Sequence, residues 1–349
     1  MRIIDLRSDT VTLPTPAMRD AFYKAELGDD VYGEDPTTNH LQEMAAERVG
    51  MEAALLVPSG TMGNLICALS HCARGEEVIL GDMSHMFLNE AGGMSALGGI
   101  FPHLVPNQPD GTLRLEDIEA AIRGDNIHFP RTRLICLENT HNRCNGSPLP
   151  PAYIDSVVSL AKRYGLRVHL DGARIFNAAV ALGVDVKQLT HGIDSLMFCL
   201  SKGLSAPVGS LVCGSREFVS EALRIRKALG GGMRQTGVIA AAGAVALDQM
   251  INRLPEDHAN ARRLAEGIAE IPGLSIDLDR VQTNIIFFDL LGGRLSADEL
   301  MTRLGQKGIK FLLTGPSRFR MVTHYGINSE DITSTLAGMR EVMESSQRR

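Results

Sequence analysis

The sequence predicts an α/β protein: a large N-terminal unit built on a mostly parallel sheet flanked by helices, with a smaller α+β unit behind it. Three observations predict this. Short apolar runs alternate with segments of helical spacing between about residues 53 and 213, the pattern of successive βα units. After a polar amphipathic stretch, Glu256 to Ile271, the order changes to a mixture of strands and helices. The 349 residues are also more than one hydrophobic core normally serves. Placing the change before that stretch divides the chain into residues 1–252 and 253–349.

Residues 1 to 35 hold a short apolar start and two polar clusters, RSDTVTLPTP and GDDVYGEDP, and read as an ordered arm rather than a core element. Thr38 to Val49 has helical spacing. Ala53 to Val57 is a predicted strand that runs through Pro58, Ser59, Gly60 and Thr61 into a helix from Met62 to His71. Amides at such a helix start, with the Ser59 and Thr61 hydroxyls, suit a phosphate, although Ser59 suits a plain N-cap equally well. A strand at Glu77 to Leu80 precedes His85 and Glu90, which fall in a loop or helix start. The alternation continues with apolar Leu104 and Val105, a helix over Arg114 to Ile122, a strand over Arg133 to Glu138, a helix over Tyr153 to Tyr164 and a strand over Leu166 to Leu170. Asp171 stands at the carboxyl end of the last strand, where ligands bind in open parallel sheets. Taken singly it reads as another N-cap, and Arg174 as a solvated first-turn residue.

Farther on come a basic helix, Arg216 to Leu229, the segment GGGMRQTG, and a small-residue helix, Val238 to Ile251. The second unit offers strands at Thr283 to Leu290, Ile309 to Leu313 and Phe319 to Thr323, with helices at Ala297 to Lys307 and Asp331 to Met343. The terminal SSQRR is expected to fray.

Composition narrows the function. A net charge of −6, no Trp and only 5 Tyr provide neither a basic footprint nor a stacking platform, so no nucleic-acid partner is expected. The start, MRIIDLRSDTV, is too charged for a signal peptide, and no apolar run reaches the roughly 20 residues of a membrane span. A cytoplasmic protein without a membrane partner is the expectation. Six cysteines without a CxxC pair sit mostly in apolar runs and read as buried thiols, not as disulfides or metal ligands. Neither GxGxxG nor GxxxxGK[ST] occurs, so a nucleotide site is not supported.

Residues 194 to 213, DSLMFCLSKGLSAPVGSLVC, set Lys202 between two apolar runs. A lysine at the end of a buried strand is desolvated, desolvation favours the neutral amine, and a neutral amine is what a Schiff base with an aldehyde requires. A lysine snorkelling from a loop remains the plainer alternative. Together, a phosphate-type turn, a strand-end aspartate and a strand-end lysine match what pyridoxal 5'-phosphate needs: donors for its phosphate, a carboxylate for its pyridine nitrogen and an amine for its aldehyde.

Ten segments in order, DLRSDTVTLPTPAM, GDDVYGEDPTTNHL, VPSGTMGN, HFPRT, LENTHN, HLDGARIFNA, CLSKGLSAPVGS, GGGMRQTG, QTN and RMVTH, closely resemble the L-threonine aldolases, low-specificity or L-allo-threonine. That family belongs to the aspartate-aminotransferase-like fold-type I enzymes that use pyridoxal phosphate, and the resemblance covers essentially the whole chain. It implies that Lys202 carries the cofactor and that Asp171 pairs with the pyridine nitrogen. It also implies that Ser59, Gly60 and Thr61 hold the phosphate and that His85 lies on the ring face. Ser8, Arg174 and Arg320 would bind the carboxylate of a small amino-acid substrate, with Arg174 counted beside the cofactor as well. Arg234 and Lys227 would lie near a phosphate, of their own or a neighbouring subunit. His85 and His128 are the implied groups for the β-hydroxyl, and Glu90 supports one of them or a water. A homotetramer of dimers that share sites is implied too.

Two departures stand out. Ser205 occupies a place often held by Gly, a change expected to matter little, and RCNGSPLP follows LENTHN where a Gly-Gly pair is common, which bears on access and substrate size. Two other readings stay open: β-elimination on a related amino acid, and a silent cofactor-binding scaffold.

Overall fold

The computed structural model describes residues 2–293 and 295–347. After a short strand, β1 (Ile4–Asp5), the chain supplies β2 (Ala53–Val57), β3 (Glu77–Gly81), β4 (Phe101–Val105), β5 (Thr132–Glu138), β6 (Arg167–Asp171), β7 (Ser195–Cys199) and β8 (Ser210–Gly214). Strands β2 to β8 form one seven-stranded sheet in the order β2-β8-β7-β6-β5-β3-β4. Only β8 runs against its neighbours. The inner strands read as near-continuous apolar runs because helices cover both faces, and β3, β7 and β8 are buried at every position. Parallel strands end at a common rim. That rim collects the turn after β2, His85 after β3, Glu138 and Asp171 at the ends of β5 and β6, and Lys202 after β7.

The remaining strands are β9 (Leu274–Ser275), β10 (Ile285–Leu290), β11 (Ile309–Lys310), β12 (Leu312–Leu313) and β13 (Arg318–Val322). Four of them make an antiparallel sheet in the order β12-β13-β10-β9, with its own apolar core. The single strand expected over Ile309 to Leu313 is two strands in different sheets. Its break falls at Phe311, whose ring packs 6.0 Å from Phe288 and 5.4 Å from Phe319, while β11 pairs in parallel with β1.

The N-terminal segment departs most from expectation. It is no mere arm: Leu6 joins the second core and Met18 the first, each fully buried, and Pro16–Lys24 is a helix capped by Thr15. Three buried carboxylates anchor the segment. Asp9 pairs with Arg174, Asp30 with Arg226, and Asp35 caps helix Pro36–Val49 while accepting from the amides of Gly28 and Gly237. Single-sequence patterning finds apolar stripes, and these contacts are polar and distant in sequence.

Two helix readings also shift. The helix after β2 is Gly60–His71, starting at Gly60 rather than Met62. The segment Val238 to Ile251 divides into α-helix Gly237–Val245, a π turn over Ala246–Met250 and a 3₁₀ turn over Ile251–Arg253. The last helix, Ser329–Gln347, includes three residues expected to fray; Arg348 and Arg349 lie outside the described residues. No described helix is long and apolar enough to cross a membrane.

Candidate active site

Ser59 is the N-cap of helix Gly60–His71, its hydroxyl accepting from the Met62 amide at 3.2 Å. The plain capping reading therefore holds, and the anion-binding reading passes to the free first-turn amides and to Thr61, which is exposed. Glycine is required where this helix meets β7: a Cβ on Gly60 would stand 2.9 Å from Cys199 Sγ, and one on Gly63 2.6 Å from Met197 Cγ.

Lys202 lies in the turn between β7 and β8. Its carbonyl accepts from Thr12 Oγ1 at 3.2 Å and from the Ser205 amide at 2.8 Å. The side chain is half-buried rather than fully desolvated, and it makes no hydrogen bond or ion pair among the described residues. The same turn holds Ser205 at a φ of 62°, in the left-handed region, with a buried hydroxyl that has no partner among the described residues. The Ser for Gly departure thus carries a cost in backbone strain and polar burial. Ser205→Gly is expected to stabilise the fold by about 1 kcal/mol, the relief exceeding the extra unfolded-state entropy of glycine. A higher denaturant midpoint at unchanged slope is the readout.

A buried polar chain ties Asp171 to His85. Asn64 Nδ2 donates to Asp171 Oδ2 at 2.9 Å and to Glu90 Oε1 at 2.8 Å, and the same Glu90 oxygen meets His85 Nδ1 at 2.8 Å. With its amide donors spent, Asn64 Oδ1 accepts from His169 Nε2 at 3.1 Å, so His169 Nδ1 accepts from Ser195 Oγ at 2.9 Å. Ser195 Oγ in turn lies 2.8 Å from His71 Nε2. Burial pushes His169 and His71 each down to about 4, keeping both rings neutral at pH 7. Burial also lowers the His85 pKa, but the bond to Glu90 and the Asp171 charge outweigh it and hold it above the usual histidine value. Glu90 moves upward, through burial first and the Asp171 charge second, against the His85 bond. Asp171 is not a helix cap as such: the next helix, Ile175–Leu182, has Arg174 at its N-cap position, and Asp171 Oδ1 takes the Ala173 amide.

On the other side of the rim, Arg174 is buried and not solvated. Its Nε and Nη2 each donate to Asp9 at 2.7 Å, which leaves Nη1 without a protein partner among the described residues. Burial would raise the Asp9 carboxyl, but the Arg174 guanidinium, with Lys202 and His324, holds it far below the usual range. Ser8, beside it, accepts from the Thr10 amide at 3.2 Å. Arg320 donates from Nη1 to Asn142 Oδ1 at 2.7 Å and from Nη2 to the Arg7 carbonyl at 3.1 Å, while its buried Nε has no partner among the described residues. Burial and the Arg174 charge push Arg320 down to about 10, still charged at neutral pH. Glu138 joins the two halves, accepting from the His85 amide at 2.7 Å and the Asn142 amide at 2.9 Å.

A model described as Beta-eliminating lyase matches residues 5–290. The chain belongs to the β-eliminating lyase family. The chain is 50% identical to "Low-specificity L-threonine aldolase 1" of Arabidopsis thaliana, over 99% of this chain and 98% of that protein. It is 46% identical to "Low specificity L-threonine aldolase" of Escherichia coli K12, over 97% and 98%. Among solved structures, threonine aldolase from Leishmania major superposes with a TM-score of 0.83 at 19% identity, covering 99% of both chains. Serine palmitoyltransferase from Sphingomonas wittichii superposes at 0.79 with 17% identity, over 100% and 89%. The fold is thus that of the fold-type I enzymes.

Not every residue expected at the site reaches the rim. His128 sits on an exposed loop, where its amide donates to Asn126 Oδ1 at 3.0 Å and no described contact joins it to His85 or Lys202. Lys227 and Arg234 are exposed as well, and Arg234 pairs with Asp29 at 3.0 Å. Conversely, Asp9, Asn64, Glu138 and Asn142 escaped the sequence reading. Asn64 left one signal, a lone amide in the apolar helix GTMGNLICALS. Asp9 left none, because its partner lies 165 residues away.

Proposed function

We propose that this chain is a pyridoxal-phosphate-dependent aldehyde-lyase that cleaves L-threonine, L-allo-threonine and related β-hydroxy-α-amino acids to glycine and an aldehyde. The observation that carries the reading is His85, tied through Nδ1 to Glu90 at 2.8 Å on the same rim as Lys202, Asp171 and Arg174, with Arg320 of β13 bonded to Asn142 beyond the end of β5. Its other ring nitrogen is left for a substrate hydroxyl. The names of relatives that match nearly the whole chain support the same activity.

The residues fit the cofactor. Arg320 is a guanidinium with an orphaned buried Nε beside a second guanidinium, a cradle suited to a substrate carboxylate. Lys202 would hold the cofactor aldehyde, Asp171 its ring nitrogen, and Gly60, Thr61 and the capped helix start its phosphate. Bound there, the group supplies an electron sink for the pair released at Cα. Arg174 Nη1, Arg320 and Ser8 fix the carboxylate, which sets the Cα–Cβ bond in the orientation that breaks. His85 takes the β-hydroxyl proton as that bond opens and the aldehyde carbonyl forms, and Glu90 steadies the resulting imidazolium. Cα takes a proton and leaves as glycine.

Residues 1–252 serve in this reading as the cofactor-holding unit and 253–349 as the smaller one, with Ile4 and Leu6 of the first packed into the core of the second. A homotetramer of dimers with shared sites is supported by the exposure of His128, Lys227 and Arg234. It is supported too by the apolar loop beside His128, where Ile127 is 97% and Phe129 47% exposed. A cytosolic setting suits six free, buried thiols.

Incubation with L-threonine is expected to yield equimolar glycine and acetaldehyde. Ammonia and an oxo acid without glycine would instead select β-elimination. Because His85 works as a base only when neutral, kcat/KM is expected to fall with pH through a value above about 6.5. An acid limb well below that value would remove His85 from the role.

A further inference from the structure

A cavity of about 650 Å³ opens from the rim, lined by His85, Asn142, Arg143, Arg280, Arg318 and Arg320 among others, with no carboxylate among the described residues of its wall. Two of these arginines are already balanced. Arg280 pairs with Asp277 at 3.1 Å, and Arg318 lies 3.7 Å from Asp289 and over the Phe287 ring. Arg320 and Arg143 are not. Neither has a carboxylate partner among the described residues, and Arg143 adds to the charge that lowers the Arg320 pKa. A neutral-side-chain amino acid brings a single carboxylate, which Arg320 takes in the reading above. One cation, Arg143, is left facing the volume that the β-substituent would enter. It stands in the loop that follows β5, one residue after Asn142, whose Oδ1 holds Arg320 Nη1 at 2.7 Å.

We propose that this cavity is an anion subsite for the β-substituent, so that substrates include β-hydroxy-α-amino acids carrying a second carboxylate, of which 3-hydroxyaspartate is the smallest. The proposal rests on the aldolase reading of the site. The reaction balances without a further reactant: the Cα–Cβ bond breaks, the β-hydroxyl loses its proton as the carbonyl forms, Cα gains a proton, and the products are glycine and glyoxylate. Arg143 is a specificity-determining residue here. It pairs with the distal carboxylate and leaves the bond-breaking groups untouched.

The test compares kcat/KM of the holoenzyme for L-threonine and for 3-hydroxyaspartate of L configuration at Cα, in wild type, Arg143→Ala and Arg143→Lys. Wild type is expected to release glyoxylate equimolar with glycine. Arg143→Ala is expected to lose about tenfold or more on 3-hydroxyaspartate while staying within about twofold on L-threonine, since a charged hydrogen bond is lost with one substrate only. Arg143→Lys should recover part of the loss, and added salt should weaken the anionic substrate selectively. Absence of glyoxylate from an enzyme that cleaves L-threonine overturns the subsite, as does an Arg143→Ala effect equal for both substrates. A binding measurement separates this from failure of the aldolase reading. L-Aspartate and L-alanine are titrated against the cofactor absorbance, which requires no turnover. Tighter binding of L-aspartate that is lost in Arg143→Ala supports the subsite even if L-threonine is not cleaved, and equal binding refutes it.

Discussion

Lys202→Ala is expected to lose about 10³-fold or more in turnover of L-threonine while keeping its fold. The reason for the loss is chemical: no other described amine stands at the carboxyl end of β7, between the capped helix start and Asp171. The reason for the retained fold is structural. Among the described residues Lys202 is bonded through its carbonyl, by Thr12 and Ser205, and alanine keeps that carbonyl. The half-buried side chain has no hydrogen bond among the described residues to lose, so the unfolding free energy should change by no more than about 0.5 kcal/mol. Borohydride should fix the cofactor on the wild-type chain at Lys202 and leave the variant unlabelled, as intact mass would report. Sustained multiple-turnover cleavage by the variant would sink the assignment.

The second large effect falls on stability. Asp9→Asn removes the counter-charge of Arg174, whose guanidinium is almost wholly buried and bonded to both Asp9 oxygens at 2.7 Å. Removing one partner of a buried pair leaves the other charge uncompensated, at a cost of about 3–5 kcal/mol. The pair also sets a pH dependence. Folding depresses the Asp9 pKa, so its contribution is full above the unfolded value of about 3.9 and is lost as pH falls through the folded value. Wild type should therefore lose stability on acidification below about pH 4 more steeply than Asp9→Asn. The same variant should raise KM for L-threonine, because Arg174 no longer holds Nη1 in place. A variant within about 1 kcal/mol of wild type in denaturant unfolding would show that the pair does not anchor the N-terminal segment.

The inner strands of the main sheet were legible because they are buried on both faces and therefore largely apolar, whereas the exposed edge strand β4, Phe101–Val105, showed only its last two residues. Asp171 and Lys202 were legible because they punctuate such runs. The turn Ser59–Thr61 was legible in position but divided in function, with Ser59 spent on capping. Less could be seen where polar groups pair across long separations. Asp9 with Arg174 and Asp30 with Arg226 turned an expected arm into anchored structure, and no periodicity announces such pairs. The break at Phe311 was hidden too, since an apolar run does not say which of two cores each residue serves. Ser205 was visible as a departure, and only its φ gave the departure a cost.

By itself, the sequence determined the alternating architecture, the rim on which Lys202, Asp171 and the phosphate-type turn meet, and the family resemblance. These follow from local pattern: strand runs, strand ends and the residues that interrupt them. Tertiary structure alone decided that Asn64 and Glu90 join Asp171 to His85, that Asp9 claims two nitrogens of Arg174, and that Arg143 faces a cavity without a counter-charge. Those outcomes depend on which polar groups lose water together on folding, and that pairing is set by packing across the whole chain rather than by any one stretch of it.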